Sequence, residues 1–108
     1  MKSLRGMSYE DYGISKERYL ELKHFCLQYE EKKKNVRLKK QAAQKENSIR
    51  DCELIEQAAK QTDETLSPYI LKCVATGWPY EYLGNVPVSR NDFYGYRRLF
   101  FHHLDKER

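Results

Sequence analysis

Apolar residues recur along this chain at three- and four-residue intervals, interrupted by short polar stretches, and that period predicts helices throughout. The first run is Tyr19, Leu22, Cys26 and Tyr29 at heptad-like spacing, with Phe25 widening the stripe. Ser15 stands before it as a plausible N-cap. One face of this helix is therefore buried, against either another helix or a second subunit. Residues 1–14 show no such period. Gly6 and Gly13 interrupt them, and Tyr9 and Tyr12 sit among acids, so a partly ordered tail is expected, its tyrosines able to pack on a neighbour.

Beyond Tyr29 the apolar signal thins to Val36, Leu38, Ala42 and Ala43 over residues 30–45. Lys, Gln, Glu and Ala dominate there, without Gly or Pro, and favour a solvent-exposed helix. Asn47-Ser48 either ends that helix and caps the next or is passed over inside one long rod. Ile49, Cys52, Ile55 and Ala59 then continue a stripe, with Leu54 and Ala58 beside it, predicting helix over 48–61. Whether residues 30–61 form one helix or two stays open.

Thr62 to Thr65 is a polar break, after which Ser67-Pro68 reads as an N-cap followed by proline at the first helical position. Tyr69, Ile70, Cys73 and Val74 make the buried face, and Gly77 suits the left-handed residue past a helix end. Residues 79–83 allow one or two turns with Tyr82 and Leu83 inward. Gly84-Asn85 and Val86-Pro87-Val88 lead to Ser89, an N-cap with Asp92 three residues on, which predicts a last helix over 90–105. Phe93, Tyr96, Phe100 and Leu104 form its inner face. Arg90, Asn91, Tyr94, Arg98 and Phe101 point elsewhere, with Arg97 at the boundary. Gly95 costs roughly 1 kcal/mol against Ala within a helix; a close backbone approach, to DNA or to a packed helix, and mere tolerance explain it equally. The expected fold is all-α. A partly ordered tail (1–14) precedes a long helical arm or hairpin able to dimerise (15–62), followed by a compact C-terminal helix-turn-helix (63–108).

Composition narrows the function. The 108 residues suit one small domain or a small core with a helical arm. No run approaches the roughly 20 apolar residues of a membrane span, and the start lacks an apolar signal core, so a cytoplasmic protein is expected. Cys26, Cys52 and Cys73 read as buried reduced thiols. With His24, His102 and His103 they make no metal-spaced set, so no metal and no cofactor are expected. No nucleophile–base set, phosphate-binding glycine loop or acidic metal cluster is legible, so an enzyme is not expected. Net charge is +4, but residues 32–45 carry seven Lys and Arg and no acid, and residues 46–65 are net acidic. That is a solvated helical face or a surface for an anionic partner.

The chemistry gathers in the last helix. In a helix lying in the major groove the first turns meet base edges, and Arg and Asn make bidentate contacts to guanine and adenine. Arg90 and Asn91 would be the readers, helped by Tyr94. Ser89, Arg97 and Arg98 would grip phosphates.

The segment PYILKCVATGWPYEYLGNVPVSRNDFYGYRRLFFHHLDKER, with GISKERYLELKHFCLQYEEKK near the start, resembles small proteins of phages and conjugative elements of Gram-positive bacteria. Its last forty residues resemble phage late-gene activators of the RinA and ArpU type, whose sigma region-four-like domain opens its recognition helix with Ser-Arg-x-x-Phe/Tyr-Tyr. Ser89, Arg90, Phe93 and Tyr94 match that motif, followed by Arg97 and Arg98; the turn GNVPVS is longer than the usual Gly-x-Ser. The resemblance implies a DNA-binding transcriptional regulator of a mobile element. Double-stranded DNA would be its partner, RNA polymerase or another element-encoded protein a further one, and a homo-oligomer its working form. The alternative is a non-enzymatic helical interaction or assembly protein that never touches DNA.

Overall fold

Ser15 opens the first helix as its place in the sequence predicts, its hydroxyl accepting the Arg18 amide at 3.1 Å. In the computed structural model, which describes residues 3–38 and 42–108, five α-helical segments follow one another: α1 (Lys16–Leu27), α2 (Tyr29–Arg37), α3 (Ala42–Thr62), α4 (Ser67–Thr76) and α5 (Arg90–Glu107). There is no strand among the described residues, and no helix is long and apolar enough to cross a membrane.

Between α1 and α2 the chain turns at Gln28, whose amide reaches the Phe25 carbonyl at 3.3 Å, a three-residue bond tightening the helix end. Residues 30–61 are two helices rather than one. Asn47-Ser48 is passed over inside α3, and α2 ends at Arg37 with Leu38 as its C-cap. Ser48 is buried while Ile49 is exposed, so the inner stripe of α3 runs Ser48, Cys52, Ile55, Ala59 and not through Ile49. The face of α2 explains this. Tyr29 donates to Glu56, and Lys32 and Lys33 pair with Asp51 and Glu56, each at 2.9 Å. Part of the basic run is thus answered by the acids of α3; Lys39 and Lys40 lie outside the described residues.

The core is shared by α1, α3, α4 and α5. Leu22, Ile55, Ile70, Phe93, Phe100 and Leu104 are all fully enclosed. Of the α1 stripe, Leu22, Phe25, Cys26 and Tyr29 are buried against the chain's own helices, so that face is not free for a second subunit. The three cysteines are free and buried, and burial pushes the Cys26 thiol up to about 12. Helix α4 starts at Ser67, one residue before the expected first turn, because Asp63 accepts the Leu66 amide at 2.9 Å ahead of it. Gly77 ends it with φ +78°.

Residues 3–14 pack on the helices. A 3-10 turn at Leu4–Gly6 lies against α5, and Ile14 is buried in the core. Tyr9 packs on Tyr19 and Phe101, with ring centroids 4.6 and 6.2 Å away, and Tyr12 stacks on His102 at 4.7 Å. Phe101, expected to point away from the core, is buried beneath these tyrosines.

Burial, then Lys106, holds the His102 imidazole below its ordinary value, with Asp105 opposing; burial, then His102 and Lys106, does the same to His103. The fold therefore prefers both rings neutral. Their contribution to stability is complete above the ordinary value of about 6.5 and is lost as pH falls through the folded values. Thermal melts should show Tm declining from pH 7 to pH 5, with a smaller decline in His102→Gln. An identical decline in that variant would remove His102 from the effect.

Candidate nucleic-acid interface

Helix α5 begins where Ser89 accepts the Asp92 amide at 3.3 Å. Two acids flank this start. Asp92 accepts from Arg5 Nε, and that bond, then Ser89, holds its carboxyl below the ordinary range. Glu81 accepts from Arg90 Nε at 2.9 Å, and its own backbone amide and then Arg90 lower its carboxyl likewise. Both pairs are open to solvent, which screens them, so they orient these side chains more than they stabilise the fold.

The connection between α4 and α5 runs from residue 77 to residue 89, far longer than the roughly three- or four-residue turn of DNA-binding helix pairs. Its one 3-10 turn, Tyr80–Tyr82, turns Leu83 inward but leaves Tyr82 68% exposed, contrary to the inward reading of that side chain. Tyr80 goes inward instead. Its hydroxyl donates to the Val88 carbonyl at 2.7 Å, and its amide donates to the Tyr94 hydroxyl at 3.1 Å. Tyr94 is therefore held from both sides. The guanidinium groups of Arg90 and Arg97 lie 5.0 and 4.8 Å from its ring centroid, within cation–π range.

The six residues singled out in the sequence fall into two groups. Ser89, Arg90 and Asn91 are exposed at the helix start, with half-buried Tyr94 one turn on. Arg97 and Arg98 are also half-buried and already engaged. Arg97 Nη1 lies 3.7 Å from Cys73 Sγ, and its Nε is enclosed without a hydrogen bond. Arg98 Nε donates to the Met7 carbonyl at 2.7 Å and Nη2 to the Arg5 carbonyl at 3.3 Å. The middle of α5 is thus roofed by the N-terminal segment, and the roof sits on Gly95. A Cβ there would stand 3.0 Å from the Leu4 oxygen, so a close approach accounts for this glycine, but by the N-terminal segment rather than by DNA or a packed helix.

What remains open is the helix start. Arg5, Arg90, Asn91, Tyr94 and Arg98 line one depression of about 360 Å³. Sequence reasoning missed Arg5, which lies far from this helix along the chain; a glycine inside α5 was the one sign that something crosses there. No family model, curated protein or solved structure matches this chain.

Proposed function

We propose that this chain is a DNA-binding regulator of a mobile genetic element, gripping double-stranded DNA with the N-terminal end of α5 rather than along its length. The observation that carries the reading is the convergence of Arg5, Arg90 and Arg98 on one open depression beside Asn91. Arg and Asn at the start of a helix suit base edges, and neighbouring arginines suit backbone phosphates. A helix entering the groove end-on needs its first turn accessible, and Ser89, Arg90 and Asn91 are exposed there, with Arg5 of the N-terminal segment reaching Ser89 and Asp92 beside them. The helix-turn-helix likeness belongs to the same proposal, with α4 and α5 as its pair across a lengthened connection. A dimer on paired half-sites would have to form away from the α1 stripe, which the chain itself covers.

Selection from a random duplex library followed by gel retardation tests this. Retention is expected at low salt, falling steeply as salt rises. Arg90→Ala should relax preference at one base position by about 1–3 kcal/mol if its contact is bidentate. Failure to retain any duplex at low salt would sink the proposal. The alternative, a helical interaction protein without DNA contact, is favoured by Trp78 and Tyr82, two large aromatics left exposed on the connection before α5. Partner capture that needs Trp78 and Tyr82, with no duplex retained, would select it.

A further inference from the structure

We infer that the N-terminal segment completes a phosphate-binding cradle at the start of α5, built from Arg5 and Arg98 with the base-reading Arg90 and Asn91 at its rim, and that its ligand is a phosphate of the nucleic-acid backbone. Only the identity of the ligand rests on the DNA reading; the cradle rests on geometry.

Three guanidinium groups, one from the N-terminal segment and two from α5, line one depression. Each is anchored by a minority of its donors. Arg5 uses Nε on Asp92 and Nη2 on Ser89 Oγ at 3.2 Å; Arg90 uses Nε on Glu81. Arg98 uses Nε and Nη2 on the carbonyls of Met7 and Arg5. A guanidinium has five N–H donors, so each keeps others for a ligand. Two carboxylates, Asp92 and Glu81, stand beside three arginines, which leaves the depression one positive charge in excess. Arg98 is held by carbonyls, so its charge is not answered by the groups that fix it.

The remaining features favour an anion with several oxygens. The depression adjoins the first turn of an eighteen-residue helix, whose free amides and dipole are positive at that end. Planar, forked donors match the oxygens of a phosphate better than a point charge does. Arg98 also fixes the placement of Arg5, because it bonds to the carbonyl of Arg5 itself. The segment over α5 therefore brings in one arginine while immobilising another.

Arginine Nε–Hε signals followed during titration with inorganic pyrophosphate test the cradle, alongside salt-dependent duplex binding of Arg5→Ala. Signals of Arg5, Arg90 and Arg98 should move together while those of Arg37 and Arg50 stay. Arg5→Ala should weaken duplex binding evenly across sequences and lower the salt slope by about 1. Uniform movement of all arginines, or none, overturns the cradle whether or not DNA is bound. Joint movement with no duplex retained keeps the cradle, makes its ligand a free phosphate compound, and removes the DNA reading. Duplex binding with an unchanged slope in Arg5→Ala overturns the backbone assignment while the DNA reading stands.

Discussion

Replacing Phe93 with alanine is expected to lower the unfolding free energy by about 3–5 kcal/mol, the usual cost of emptying a buried aromatic site. The ring is wholly enclosed, between Tyr80 at 5.7 Å on the connection and Tyr94 at 5.7 Å on the next turn of α5. Both neighbours are pinned, Tyr80 by the Val88 carbonyl and Tyr94 by the Tyr80 amide, so neither can swing in to refill the space without losing a hydrogen bond. The cavity should persist rather than collapse. Since domains of this size hold about 5–15 kcal/mol in all, the loss would take a large share of the total. Urea denaturation should show a lower midpoint with an unchanged slope, and Phe93→Leu should recover a good part of it. A loss below about 1 kcal/mol would mean that the connection repacks freely, contrary to the anchoring of Tyr80 and Tyr94.

Much of the helical architecture was legible because its signals are local. Ser15, Ser89 and Gly77 do at the helix ends what their residue types do anywhere, since capping involves atoms only a few residues apart. The inner faces of α4 and α5 follow the same rule: Ile70, Cys73, Phe93, Phe100 and Leu104 recur at helical spacing and are buried. The misses share one cause. Ile49 is turned outward, and Ser48 inward, by where α2 lies on α3, which no periodicity in α3 records. Ile14 and Phe101 are buried by contacts that run the whole length of the chain, and Ile14 has no repeat to announce it; the tail tyrosines do pack, but no spacing names Tyr19, Phe101 and His102 as their neighbours. The candidate site divides in the same way. Arg90 and Asn91 were legible from the N-cap before them. The engagement of Arg98 by Met7 and the arrival of Arg5 depend on a segment that sequence spacing could not aim.

Gly95→Leu is expected to lift residues 3–8 from α5 while leaving the helices formed. The added Cβ alone would stand 3.0 and 3.1 Å from the backbone oxygen and carbon of Leu4, and three further carbons deepen the conflict. Two effects oppose each other. Leucine in place of glycine favours the helix by nearly 1 kcal/mol, whereas lifting the segment removes the bonds of Arg98 to Met7 and Arg5 and of Arg5 to Asp92 and Ser89. Solvent reaches the two Arg5 bonds and the Arg98–Arg5 bond and screens them, so only the part-buried bond of Arg98 to Met7 opposes that gain appreciably. Global stability should therefore change little, but local opening should change greatly. Trypsin reports it directly, because Arg5 precedes Gly6 inside the lifted stretch. Losing about 1.4 kcal/mol of local protection makes cleavage there roughly tenfold faster, with the helical circular dichroism retained. Gly95→Ala, whose smaller conflict nearly balances its helix gain, should fall between the two. Without the segment the depression loses Arg5 as well, so Gly95→Leu should reproduce the reduced salt slope of Arg5→Ala. Wild-type cleavage at Arg5 together with a wild-type slope would show that the missing side chain of Gly95 is not what seats the segment.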